Sequence, residues 1–465
     1  MIGVARSLCT LHSRHGVPRD LRGDARPSHL ERISVQPAPR EPLPVSYIRS
    51  LLIAASLICV GVLTAQHRSV ATSDVFSRYA ARVVKIQVIE TGSAAKATIG
   101  SGFFVSPQGH LVTNYHVISK LIHDPERYRA ELMDVSGAVH AITVLGVDVV
   151  HDLAVLATEL RPRTYFSLGR ATVAQGNRLY SLGHPEDLGL SIVEGTYNGH
   201  LAHTRHPRIH FTGSLNPGMS GGPTIAEDGR VIGVNVATAG NQLSFLVPVE
   251  RAVALLDRVL LPGDEPPART LEEIGRQLRA HQEAYLRDMF VGETKMVELG
   301  PYRLITEPAP FFRCWADATR RQELPYEKVQ HHCSTDDYLF IAGDQSTGVI
   351  ELEHEMISTR KLNASQFFSL YTSIFTNDNT PGGEEEHVTS WRCGTRNVRN
   401  ESLPMRAVLC LRRYRKLGEL YDGVLKIAIL GRGDSGLVST LTMSGVTFEN
   451  VDRLARRYLE RVSWR

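Results

Sequence analysis

Three short segments of the 465-residue chain carry side chains that could share one acyl-transfer reaction. LVTNYHV supplies His116 at the end of an apolar strand, DVVHDLAVL supplies Asp152 just before another, and NPGMSGGP supplies Ser220 between glycines. Breaking an amide this way needs a nucleophile, a base to take its proton, a group to hold the base, and donors for the developing oxyanion. A fixed imidazole can be the base, and a partly buried carboxylate can accept from its Nδ1. Gly218 lets the backbone turn so that its own N–H and that of Ser220 face one oxygen, while Gly221 and Gly222 let a substrate approach. Singly, each segment has a structural explanation: a hydrogen-bonded strand histidine, a turn aspartate with His151 beside it as a competing base, a serine in a glycine loop. Taken in order, 36 residues from His116 to Asp152 and 68 from Asp152 to Ser220, they point to one site drawn from different strands.

The elements that must position these residues have the texture of strands. From about Val83, short apolar runs such as RVVKIQVIE, GSGFFVS, AITVLGVD, RLYSLG, RVIGVNVAT and QLSFLVP are broken by Gly, Pro and Asn. Turn signals every 8 to 12 residues or so predict an all-β sandwich or barrel. VERAVALLDRVL then suits a helix, and LPGDEPPART reads as a linker. Beyond it, Leu271, Ile274, Leu278, Leu286 and Met289 fall near one helical face and open a second domain. In that domain YLFIAGDQSTGVIELEHEMI with NASQFFSLYTSIF, and GVLKIAILGRGDSGLVSTLTM with TFENVDRLARRYLERV, suggest a weakly repeated strand, Gly turn, strand and helix. An α+β class follows.

Length alone favours two folded units. A hydrophobic fraction of 42% with 22% charged residues suits a globular protein and excludes wholesale disorder or a many-span membrane protein. A formal net charge of +3 gives no electrostatic case for nucleic acid. Of six cysteines, Cys9 and Cys59 lie near the N-terminus and Cys314, Cys333, Cys393 and Cys410 in the last third. Four in one region suit two disulfides in an oxidising compartment, with three pairings open; four reduced, buried thiols are the alternative.

Arg49, the uncharged apolar run Leu51 to Leu63 and the small residue Ala65 read as a signal peptide. The run is short for a membrane span, which needs roughly 20 apolar residues, although an uncleaved anchor with membrane association is the alternative. The Arg- and Pro-rich residues before it show no helical or strand period and read as a disordered basic leader or a mis-assigned start. The expected organisation is leader 1–46, signal or anchor 47–66, first domain 75–260, linker 261–270 and α+β domain 271–465.

With these segments in hand, the stretch from about Val83 to Val249 resembles the protease domain of the Deg/HtrA family, trypsin-fold serine peptidases of the cell envelope and organelles. GSGFFVSPQGHLVTNYHVI resembles the family's histidine signature and DVVHDLAVL its aspartate segment. YSLGHPEDLGLSIVEGTYNG resembles the Gly-rich loop before the serine, NPGMSGGPTIAEDGRVIGVNVAT the nucleophile turn and LSFLVP the last strand. The resemblance implies two six-stranded β-barrels with the site between them. It assigns His116 as general base, Asp152 as its orienting partner, Ser220 as nucleophile, and the N–H groups of Gly218 and Ser220 as the oxyanion hole. An acyl-enzyme mechanism follows that calls for no metal and no organic cofactor.

Specificity in this fold is often read six residues before the nucleophile, here the uncharged Ser214; Val236, Ala237 and Thr238 would wall a pocket for small or medium apolar side chains. Digestive relatives carry an acid at the position of Met219 that pairs with a newly cut N-terminus, an ion pair methionine cannot make. No PDZ-type carboxylate-binding loop follows Pro262, so the C-terminal domain stays unassigned. Weaker motifs have plainer explanations: HEMIS at His354 lacks a second histidine, QHHC places His331 and His332 beside a disulfide cysteine, and GRGDSG suits a tight turn. The reading is an exported serine endopeptidase, periplasmic or anchored facing the periplasm, acting on proteins or peptides in envelope quality control or processing. The alternative is a protease-fold binding or sensor module with a latent triad, its function carried by the C-terminal domain.

Overall fold

A computed structural model of the chain describes residues 70–464 apart from 203, 241, 262–269, 293, 320–322, 336–337, 377–379 and 401–402. The leader, the apolar 47–66 segment, Cys9, Cys59 and most of the expected linker lie outside the described residues. Among those described, no helix is long and apolar enough to cross a membrane.

The short apolar runs form strands, as their length and the turn signals between them predict. β1 (Val83–Glu90), β2 (Lys96–Phe104), β3 (His110–Thr113), β4 (Tyr128–Met133), β5 (Val139–Ala141), β6 (Thr143–Asp148) and β7 (Leu153–Ala157) make an antiparallel sheet in the order β5-β4-β1-β2-β3-β7-β6. β8 (Arg178–Gly183), β9 (Ser191–His200), β10 (Ile209–Phe211), β11 (Pro223–Ile225), β12 (Val231–Thr238) and β13 (Ser244–Pro248) close into a six-stranded barrel. The second unit is thus the closed barrel the resemblance implies, whereas the first has seven strands and its end strands, β5 and β6, do not pair. Phe103, Val112, Val155, Tyr180, Leu182 and Val234 are all buried in one cluster, so the two units share a packed seam. Helix Val249–Leu260 closes this half with Val249, Ala252 and Leu255 in that seam.

The bridging helix Thr270–Val291 then joins two cores. Its Ile274 and Leu278 pack with the first sheet, and its Tyr285, Leu286 and Met289 belong to the C-terminal core. The C-terminal part contains β14 (Met296–Leu299), β15 (Tyr302–Ile305), β16 (Arg313–Thr319), β17 (Glu327–Ser334), β18 (Leu339–Ala342), β19 (Gln345–Thr347), β20 (Ile350–Ser358), β21 (Arg392–Arg399), β22 (Pro404–Arg413), β23 (Leu420–Ile429), β24 (Ser435–Thr447) and β25 (Ser463–Trp464). Seven of these form one antiparallel sheet, β16-β17-β20-β24-β23-β22-β21, with helices Ala364–Thr376 and Phe448–Arg461 packed against it.

Both disulfides lie in this sheet, Cys314–Cys333 and Cys393–Cys410. Each joins directly opposed residues of an edge hairpin, β16–β17 on one side and β21–β22 on the other. Edge hairpins have a partner on one side only, so a covalent cross-link limits fraying where the ladder is weakest. The expected repeat survives in its second half, where β23 and β24 pair before helix Phe448–Arg461. In the first half the strand before the glycine turn leaves the main sheet: β18 pairs only with β19, and the two make a separate hairpin.

Candidate active site

His116 stands one residue inside helix Tyr115–His123, on its first turn; β3 itself ends at Thr113. Helix N-termini leave backbone N–H groups without intrahelical partners, and here the Asp152 segment meets them. The His116 N–H donates to Asp152 Oδ1 at 2.9 Å, and the Asn114 side-chain amide donates to the Asp152 carbonyl at 2.7 Å. The other carboxylate oxygen, Oδ2, lies 2.6 Å from His116 Nδ1. Asp152 reaches this position with φ of +59°, a left-handed conformation that aspartate tolerates better than most residues. A hydrogen at Nδ1 leaves the neutral ring's Nε2 as the free acceptor. Burial works against the charged imidazole, but the charge and hydrogen bond of Asp152 outweigh it and the repulsion of Arg208, holding His116 above its ordinary value.

His151, the competing base, points elsewhere. Its Nδ1 lies 2.8 Å from Asp148 Oδ2, and its ring packs edge-on to His206.

Ser220 lies half-buried in the turn between β10 and β11. The Pro217 carbonyl accepts from the Glu186 N–H at 2.8 Å. In a trans peptide C=O and N–H point opposite ways, so this contact turns the Gly218 N–H away from the loop and outward. Among the described residues neither the Gly218 N–H nor the Ser220 N–H meets an acceptor. Gly218 has φ of +92°, and a Cβ there would fall 2.3 Å from the His184 carbonyl. Glycine is therefore required both by conformation and by space.

Several groups hold the turn that sequence reasoning passed over. Ser101 Oγ donates to the Gly218 carbonyl at 2.7 Å and accepts from the His184 N–H at 2.9 Å. The buried Asn235 side chain donates to the carbonyls of Met219 and Leu182 and accepts from the hydroxyls of Ser181 and Thr224. A polar residue inside the apolar run RVIGVNVAT was the available signal for it. Met219 is fully buried in the second barrel with Leu179, Phe211, Leu215, Ile232 and Leu246. Apolar packing therefore anchors the turn at the position where an ion pair does so in digestive relatives. No hydrogen bond joins Ser220 Oγ to His116 among the described residues.

The expected pocket residues are uncharged and lie near one end of the barrel. Val236 is half-buried, Ala237 and Thr238 are exposed at the end of β12, and Ser214 is exposed. Thr238 is the register partner of Ser244, whose hydroxyl accepts from the N–H of Leu215, the neighbour of Ser214. The remaining motifs resolve structurally. His354 is fully buried between Ser439 Oγ and the Ile305 carbonyl. Cys333 beside His331 is held in a disulfide, and Arg432 of GRGDSG lies over the Trp464 ring.

The His116 side of the site also touches the C-terminal part, which the sequence did not indicate. The Phe340 ring of β18 packs edge-on to His116 with centroids 6.0 Å apart, and the Tyr115 hydroxyl donates to the Ile341 carbonyl at 2.7 Å. The Gln277 side chain of the bridging helix accepts from the Val149 N–H and donates to the Val147 carbonyl, both at 2.9 Å, just ahead of Asp152.

Residues 100–234 match the trypsin-like peptidase domain family. The chain is 30% identical over 185 residues to a probable periplasmic DegP-like serine endoprotease of Chlamydia pneumoniae, covering 37% of each protein. It is 32% identical over 200 residues to the mitochondrial serine protease HTRA2 of Bos taurus, covering 40% of this chain and 42% of that one. The alignment thus spans about two fifths of the length of these relatives. Among solved structures, a serine endoprotease from Yersinia pestis aligns over 42% of this chain and 68% of its own at 23% identity, with a TM-score of 0.36. Residues 100–234 thus carry a trypsin-like peptidase domain, and the chain is similar to serine proteases of the DegP and HTRA2 kind.

Proposed function

We propose that the protein is an exported serine endopeptidase that cleaves protein substrates through an acyl-enzyme intermediate, with Ser220, His116 and Asp152 as its triad. Ser220 Oγ attacks the scissile carbonyl carbon while His116 Nε2 takes the hydroxyl proton. The N–H groups of Gly218 and Ser220 receive the oxyanion, and His116 returns the proton to the departing amine. Water then repeats the sequence on the acyl ester. The observation that carries this reading is the pairing of Asp152 with both the ring and the backbone N–H of His116, together with outward N–H groups in the Ser220 turn.

Two cross-strand disulfides and the periplasmic setting named for the Chlamydia pneumoniae relative support an oxidising, exported location and a role in envelope protein quality control or processing. The uncharged Ser214, Val236, Ala237 and Thr238 favour small or medium apolar side chains at the cleavage site. One observation favours a latent site in a binding or sensor protein: Ser220 and His116 are not hydrogen-bonded. Such contacts also tighten only in complexes of competent enzymes.

A fluorophosphonate probe separates the two. The parent protein is expected to label and Ser220→Ala to remain unlabelled; a folded parent that does not label contradicts the endopeptidase.

A further inference from the structure

The hairpin β18–β19 is the part of the C-terminal region that breaks away from its own sheet, and it goes to the helix that carries His116. Leu339, Ile341 and Ala342 are buried in one cluster with Val117, Ile118 and Ile122 of that helix. Side chains on a strand alternate, so Phe340 faces the opposite way from Leu339 and Ile341, toward the imidazole. The backbone is fixed to the same helix, since the Ile341 carbonyl accepts from Tyr115, whose hydroxyl also lies 3.0 Å from His123 Nε2.

From below, the hairpin rests on a buried polar network. Gln345 reaches the Tyr414 hydroxyl, Tyr414 donates to Asp422, and Asp422 pairs with Arg412 at 2.8 Å. Through Gln345 the hairpin is thus tied to Tyr414 and, beyond it, to the buried Asp422–Arg412 pair of the main sheet. The His116 ring is thus held by Asp152 at Nδ1 and packed by Phe340 on its side, with 27% of its side chain still exposed.

We propose that Phe340 is a positioning residue for His116, so that the C-terminal domain, through the β18–β19 hairpin, completes the acid–base half of the active site. The inference rests on the serine-peptidase reading. An imidazole tethered at one nitrogen can still swing about that bond, and an aromatic ring in edge contact restricts the swing and keeps water from part of the ring. Groups bearing charge on His116 are Asp152 from its own turn and Arg208 from the 201–208 segment; Phe340 adds none.

The test compares the full chain with Phe340→Ala and the shape-conserving Phe340→Tyr. Phe340→Ala is expected to lower kcat on a peptide substrate about 10- to 100-fold with KM little changed, and Phe340→Tyr to restore most of it. A second readout needs no turnover: the His116 ring is titrated by NMR in Ser220→Ala protein with and without Phe340→Ala. Greater hydration of the imidazole favours its charged form, so its midpoint should move to higher pH. An unchanged kcat, a rise confined to KM, or an unmoved His116 titration in folded protein would overturn the proposal. Because the titration does not depend on catalysis, an unlabelled parent in the probe experiment removes the peptidase reading while leaving the Phe340 contact decided on its own.

Discussion

The nucleophile turn and the histidine helix are built in different ways. Ser220 is held almost wholly by its own half of the molecule: Met219 in the barrel core, Asn235 on β12, and Ser101 on β2. His116 and Asp152 are held by each other and then braced from outside, by Phe340 and Ile341 on one side and Gln277 on the other. The Ser220 turn is therefore held within the trypsin-like part, while His116 and Asp152 are also braced by the bridging helix and the C-terminal region. A trypsin-like unit can accept such an addition because the two halves of the site sit on separate elements, each of which can be anchored independently.

The contrast can be broken most severely at Asp152. Asp152→Asn keeps the size of the side chain but removes the charge that fixes the His116 tautomer, and should lower kcat by about 10⁴-fold. Steady-state hydrolysis by folded protein checks this, and a loss below about tenfold would mean that the pair does not act as drawn.

On the other side of the comparison, Met219→Ala should destabilise the protein by about 2 to 5 kcal/mol, the range for emptying a buried core site of this size. The turn it anchors would loosen as well, so probe labelling of Ser220 should slow more than for a surface substitution. Denaturant melts compared with the parent give the stability change. A cost under about 1 kcal/mol would show that Asn235 and Ser101 hold the turn alone.

The smallest effect concerns the outside bracing. His206 lies between His151, next to Asp152, and His281 of the bridging helix. Burial first, then the neighbouring charges of His281, Arg205, His151 and Arg208, push His206 far below its ordinary range, and burial with Arg205 holds His281 at about 3. Both are neutral in the folded protein, and the unfolded chain takes up their protons below the ordinary value of 6.5. Stability is thus present above that pH and lost as pH falls toward about 3. Each excluded proton costs about 1.4 kcal/mol per pH unit at most. Melting temperature should fall between pH 7 and pH 5, and His281→Gln should flatten that fall; identical slopes would remove the pair as the cause.

Much of the site was legible in the sequence because the chemistry demands particular side chains in short, ordered segments. His116, Asp152 and Ser220 could be named from LVTNYHV, DVVHDLAVL and NPGMSGGP, and the glycine at 218 from the turn it had to make. The helix beginning at Tyr115 was not, since a stretch as short as LVTNY ahead of a histidine looks the same whether the strand ends or turns into a helix. Met219 was visible as a missing ion pair, yet what replaces that pair is the packing of residues far apart in the chain, which no local pattern encodes. The cysteines left three pairings open until strand register selected two cross-strand bridges. Phe340 was the least legible of all. In YLFIAGDQS it reads as one more strand residue, and only the departure of β18 from its sheet brings it to His116.

The pH dependence of fluorophosphonate labelling at Ser220 tests the central claim most directly, because it reports the nucleophile and its base together. A neutral His116 held above the ordinary histidine value of 6.5 by Asp152 predicts a single rise in labelling rate with a midpoint above that pH, absent in Ser220→Ala. A rate that stays flat through the histidine range, or label that attaches to another residue, would contradict it.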